Sequence, residues 1–225
     1  MHIEPGVVTG AKIVLSYATA AGAGLYGLKL AADTVRKQGM ASLAARAAVT
    51  TTAVFSFFEI LPHVSVGVSE VHFIFGSTLF LIFGAAPAAL GLALGLLLQG
   101  LLFVPTDLPQ YGMNVTTLLV PLFAIAALSQ RIVPRDTAYV DLRYHQALSL
   151  SSAYQAGIVA WVAFWAFYGR GFGAENLTSV ATFAGSYMTV ILVEPLVDLA
   201  VLALAKSLRG VVSGALVTPR LHPAG

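Results

Sequence analysis

Cysteine is absent from all 225 residues, which removes thiolate metal sites, disulfides and cysteine nucleophiles together. Any metal ion must then be held by nitrogen or oxygen. Charge is scarce as well: Asp, Glu, Lys and Arg make up 10% of the chain against 58% hydrophobic residues, where a soluble domain carries about 25% charged residues. Water cannot be the solvent for most of this surface, and the chain reads as an all-α integral membrane protein. The formal charge of +2 does not signal nucleic acid, because the basic residues lie in short clusters between apolar runs without interleaved aromatics. Two motifs are also missing. The sequence has no Gly-x-x-x-x-Gly-Lys-[Ser/Thr] phosphate loop, and no Gly-x-Ser-x-Gly elbow of the kind that presents a hydrolase serine.

What is present is a series of apolar stretches near residues 8–32, 42–62, 71–85, 86–104, 113–131, 150–170 and 176–206. A membrane helix needs roughly 20 mostly apolar residues, so about seven transmembrane helices are expected, with Pro87 marking the turn between the third and fourth. A signal peptide needs a basic head and an apolar region of about 7–15 residues. The head "MHIEPG" has neither Lys nor Arg, and the run behind it is longer, so this first stretch reads as a retained helix. Arg36, Lys37 and Arg46 follow helix 1, Arg131, Arg135 and Arg143 follow helix 5, and Lys206, Arg209 and Arg220 lie in the tail. The alternate segments 63–71, 105–112 and 171–175 hold no Lys or Arg. Positive loops stay cytoplasmic, which places the N-terminus outside and the C-terminus in the cytoplasm. The expected organisation is a single helical membrane domain over 1–210 and a cytoplasmic tail over 211–225. The setting is the lipid bilayer of the cell (inner) membrane, crossed many times, with no nucleic-acid partner. Small residues four apart, Ala18/Gly22 and Ala20/Gly24, Gly91/Gly95, and Ala153/Gly157, are expected to form packing seams within the bundle. The stretch 131–150 is the one long cytoplasmic connection, opened by Pro134.

An outer N-terminus gives "MHIEPG" a chemistry. A histidine at position 2 discourages trimming of the initiator methionine, so Met1 should keep its α-amine. That amine, the backbone nitrogen of His2 and the His2 Nδ1 close a five-membered and a six-membered chelate ring in one plane. Because the middle donor is a deprotonated amide, only ions that gain strongly from a planar nitrogen field compete for it: nickel(II), copper(II) and, less readily, cobalt(II). Pro5 and Gly6 supply a turn that folds this arm toward the helices. One planar position remains. Of the other histidines, His145 and His222 fall in cytoplasmic segments, whereas His63 and His72 flank the outer loop "PHVSVGVSEVH". His72 is favoured as the fourth donor because it begins helix 3, with His63 as an alternative ligand or a partner of the ligand. Glu59 is close in depth and could balance charge there. Asn114 is expected to hydrogen-bond the arm. Glu194 and Asp198, one turn apart on helix 7, are expected to pair with basic or hydroxyl neighbours and close the bundle.

The opening Met1-His2-Ile3 with its proline-containing turn resembles the CbiM/NikM family, the substrate-binding membrane subunits of energy-coupling-factor transporters for cobalt and nickel. The loop "VGVSEVHFIFG" at residues 66–76 is similar to the family's glycine- and serine-rich approach to a histidine, with His72 and Gly76 on the matching positions. "LGLLLQGLLF" and "YGMN" match a third stretch through Gln99, Gly112 and Asn114. The resemblance covers roughly residues 1–130 and departs at "EV" before His72 and at the extra His63. It implies a seven-helix subunit in which Met1 and His2 plug the bundle and hold Co(II) or Ni(II), the transported substrate, in a square-planar site completed by a loop histidine, His72 or His63. It also implies separate partner chains: a coupling membrane subunit, ABC-type ATPases that hydrolyse the ATP, and a small accessory membrane subunit as a further candidate. Two rivals are an integral membrane hydrolase built on Ser65, Ser69 and His72, and a non-catalytic assembly protein with an incidental N-terminus.

Overall fold

The computed structural model describes residues 2–208 and 216–222. Seven α-helices follow one another, α1 Ile13–Gln38, α2 Met40–Ile60, α3 Gly76–Phe83, α4 Ala85–Leu102, α5 Tyr111–Ile132, α6 Tyr144–Arg170 and α7 Ala174–Ser207, with one hairpin, β1 Val64–Val66 and β2 Ser69–Val71, before α3. Six of the helices are long and apolar enough to cross a membrane. The exception is α3, whose eight residues rise only about 12 Å.

The chain nevertheless crosses the bundle there. A methyl group at Gly91 would strike Thr50, and one at Gly95 would strike Val54, so α2 and α4 run side by side in the same direction. Two parallel helices require the segment between them to return across the bundle. Residues 61–84 make that return: the hairpin lies at the Phe58 end, and the carbonyl of Phe83 accepts a hydrogen bond from Arg46 Nη1 at the other end, 2.8 Å away. The expected helix over 71–85 is therefore a strand end, an extended segment and a short helix. Its break from α4 falls at Gly84, whose φ of +89° suits a residue without a Cβ. Pro87 does not make the turn; it sits in the first turn of α4, where its missing N–H costs no hydrogen bond, and its carbonyl accepts from Thr50 Oγ1 at 2.7 Å.

The seams on α4 and α6 are packed as expected, Gly157 against Pro121. Those on α1 are not: nothing lies within 4 Å of a Cβ at Gly22 or Gly24, and Val14, Leu25 and Leu28 beside them are exposed. The expected connection over 131–150 is shorter than its composition suggested, because α6 already begins at Tyr144. Its Tyr139 and Val140 are buried and donate their backbone N–H groups to the carbonyls of Arg220 and Leu221. Residues 216–222 of the expected tail thus pack on the end of the bundle that carries the basic clusters. The remainder, 211–215 and 223–225, lies outside the described residues.

Candidate metal centre

At the opposite end the N-terminal arm is zipped to the hairpin. Glu70 N–H donates to the His2 carbonyl at 3.0 Å and Glu4 N–H to the Val68 carbonyl at 3.1 Å. Ile3 bridges Ser69 in antiparallel fashion. Ser69 Oγ adds a hydrogen bond to the same His2 carbonyl at 2.8 Å. The arm is in effect a third strand, and Gly67, at φ +63° in the two-residue turn closed by Val66 and Ser69, sets the hairpin's register. Asn114, near the start of α5, accepts the Ile3 N–H on Oδ1 at 2.9 Å. Beyond the turn at Pro5 and Gly6 the arm crosses the end of α6, with Val7 and Val8 buried and Lys12 Nζ 2.9 Å from the carbonyls of Tyr168 and Gly169. A cation on those last carbonyls complements the helix C-terminus.

This arrangement brings His2 and His72 together. Their rings meet edge to face with centroids 5.4 Å apart, and Phe58 packs against both. His2 is 4% and His72 1% exposed. Neither ring nitrogen of His72 has a hydrogen-bond partner, an arrangement that costs free energy unless something else satisfies those atoms. His63 stacks on the His72 ring, 4.8 Å between centroids and 8° between planes. Lone pairs in two near-parallel planes do not converge on one point. His72 does not begin a helix: it follows β2 in the extended segment before Gly76. Met1 lies outside the described residues. His145 and His222 belong to the basic end, and Glu59 is not among the residues gathered at the centre.

Glu70 joins His2 and His72, a residue outside the ligand set expected from the sequence. Residues two apart in an extended chain face the same way, so Glu70 on β2 shares a side with His72, and its carboxylate lies between the two histidines. Oε2 is 2.8 Å from His2 Nδ1 and 3.5 Å from His72 Nε2. Potential ligand atoms of His2, Glu70 and His72 all lie within 4.8 Å of one another. The period-two alternation of "VSVGVSEV" was the signal that could have found it. Asp107, in a 3-10 turn over Pro105–Gln110, approaches the far nitrogen of His2 at 3.9 Å. Burial pushes both His2 and His72 below the ordinary imidazole range. Burial pushes the Glu70 carboxyl up, but the His2 hydrogen bond leads the opposing effects and the net is a lowered value. At neutral pH the centre therefore offers neutral imidazoles and an ionised carboxylate.

A second set of carboxylates holds the His72 segment in place. Glu194 Oε1 accepts the N–H groups of Ile74 at 2.7 Å and Phe75 at 3.0 Å, and Gln155, itself bonded by Tyr187, donates to the other oxygen. Phe75 adopts φ +54°, uncommon for a bulky side chain, and the carboxylate fixes it there. Asp198 takes the hydroxyls of Ser77 and Thr78, the hydroxyl pairing expected of it. Gly76 is required by packing, since a Cβ there would fall 2.1 Å from the Tyr154 ring.

Fold and composition define a multi-pass membrane protein whose one polar end closes over two histidines. The chain belongs to the CbiM family: the model described as the cobalt uptake substrate-specific transmembrane region matches residues 2–211, well past the motifs at 1–130. No curated protein matches the sequence. Among solved structures, a transition metal transporter shares the fold at a TM-score of 0.69 and 19% identity, with 92% of this chain and 93% of that one covered. A truncated transition metal transporter aligns at a TM-score of 0.62 and 19% identity, over 93% and 98% of the two chains.

Proposed function

We propose that this cobalt-uptake membrane component is the substrate-binding subunit of an ATP-driven importer in the cell membrane, taking Ni(II) or Co(II) from the outer face. Four nitrogens form the square-planar set: the Met1 α-amine, the deprotonated amide and Nδ1 of His2, and one ring nitrogen of His72. The observation that carries this reading is the buried His72 ring, without a hydrogen-bond partner and facing His2 at the end opposite the basic clusters. His63 supports the His72 ring by stacking rather than by ligation. Asn114 and the hairpin hold Ile3 and His2 in place before the ion arrives, which lowers the ordering cost of binding. ATP hydrolysis belongs to partner ATPases, joined through a coupling membrane subunit.

Adding one residue in front of Met1 turns the terminal amine into an amide and should abolish tight binding of Ni(II) and Co(II), read by calorimetric titration of the purified chain. His72→Ala should do the same. Unchanged affinity in both variants would refute the nitrogen set, and unchanged affinity in His72→Ala alone would move the fourth position to another donor.

A further inference from the structure

Glu70 is placed where an ion held by the two histidines would meet it. Nitrogen and oxygen donors sit about 2.0–2.1 Å from a first-row divalent ion such as zinc, so two donors at right angles are about 2.9 Å apart. His2 Nδ1 and Glu70 Oε2 are 2.8 Å apart, and His72 Nε2 and the same oxygen 3.5 Å. The carboxylate is therefore spaced as a neighbour of both nitrogens and opposite neither. Its backbone is fixed, because Glu70 N–H is bonded to the His2 carbonyl and Glu70 pairs with Ser65 in the hairpin. His72, with both ring nitrogens buried and without a hydrogen-bond partner, supplies a further sign that a ligand belongs here.

Charge points the same way. A divalent ion bound to one deprotonated amide and three neutral nitrogens carries a net charge of +1. Burying that charge beside Phe58 and the apolar helix ends is costly without a counterion. One ionised carboxylate brings the complex to neutrality, and Glu70 is the acid nearest to both rings.

We propose that Glu70 is a fifth donor to the transported ion, an apical carboxylate above the plane of the nitrogens, and that it biases the site toward cobalt(II). This rests on the nitrogen set proposed above. Selectivity among these ions follows geometry and ligand type more than raw affinity, and strictly planar fields favour copper(II) and nickel(II). An apical oxygen removes part of that advantage, because cobalt(II) gains more from a fifth donor. In the ion-free protein the same carboxylate accepts the Nδ1 proton of His2, keeping the ring oriented for the exchange of proton for metal.

The test uses the full chain in detergent, loaded with Ni(II) alone or Co(II) alone, as wild type, Glu70→Gln and Glu70→Ala. X-ray absorption at the nickel edge should show the wild type without the sharp pre-edge feature of a planar four-coordinate ion, and both variants with it. Co(II) affinity should fall about tenfold or more in the variants, the loss typical when a group supporting a metal is removed, and Ni(II) affinity should fall less. A planar spectrum from wild-type protein overturns the proposal without any variant. So does an unchanged cobalt-to-nickel ratio in Glu70→Gln. If instead His72→Ala and the N-terminal extension bind both ions as the wild type does, the nitrogen set itself fails and the apical role falls with it. If those two lose binding while the Glu70 variants keep wild-type selectivity, only the role of Glu70 is refuted.

Discussion

Gly169→Ala places a single methyl group between α6 and the N-terminal arm. The new Cβ would lie 1.9 Å from the Val7 carbonyl oxygen and 2.8 Å from its carbon. Contacts below 3.0 Å are essentially never seen, so arm or helix must retreat by about an ångström or more. The helix is poorly placed to yield. Its last turn is held by Asn176 Nδ2, which donates to the carbonyls of Ala166 and Gly171. The arm must move, and it leads back to His2. Overpacking of this kind costs about 1–3 kcal/mol, which on the scale of tenfold per about 1.4 kcal/mol becomes roughly 5- to 150-fold in the docked fraction of the arm. Apparent affinity for Co(II) and Ni(II) falls by the same factor once the docked form ceases to dominate. Calorimetric titration of the purified variant would read it, alongside Gly185→Ala, where nothing lies within 4 Å of the new methyl and no change is expected. An affinity for Gly169→Ala within twofold of wild type would refute the claim that the arm's position over α6 sets the geometry of the site.

Asn114→Ala removes the acceptor of the buried Ile3 N–H, a loss of about 1–3 kcal/mol; it should weaken metal binding while Asn114→Asp, which keeps the acceptor, restores most of it in the same titration. Glu194→Ala strands the N–H groups of Ile74 and Phe75 at about 1–3 kcal/mol each, so both the thermal midpoint and Co(II) affinity should drop, since His72 is two residues away. Arg46→Met removes hydrogen bonds to the carbonyls of Ser42 and Phe83 and to the Gln38 side chain. It should lower the thermal midpoint but leave metal affinity unchanged, because the twelve residues from Arg46 to Phe58 separate it from the site by about 18 Å; a change in affinity would contradict the fold's two-ended layout.

The long helices were legible because a run of apolar residues has one reading in a chain with so little charge. The crossing before α4 was not, because hydropathy scores 71–85 as one more helix. The outer loop ahead of it, with its alternating valines and serines, is a hairpin, and only the parallel packing of Gly91 on Thr50 and Gly95 on Val54 demands a return crossing made of so few helical residues. The expectation that Asn114 would hold the arm agrees with its bond to Ile3, since a polar amide at that depth has few available partners. Gly22 and Gly24 show the limit of motif reading: spacing makes close approach possible, but a neighbour must be there, and among the described residues there is none. Glu70 was read as an inserted residue before a histidine. The period-two alternation shows only that it faces the same way as His72; its place against His2 depends on the pairing of the hairpin with the arm.

The arm's pairing with the hairpin, Asn114 and the end of α6 also dictates an order of events during synthesis. The arm is made before Glu70, Asn114 and Gly169, on which His2, Ile3 and Val7 come to rest. Its full docking therefore waits until α6 has been threaded into the bilayer. A chain arrested before that helix emerges would carry every proposed ligand without the support of α6 beneath the arm.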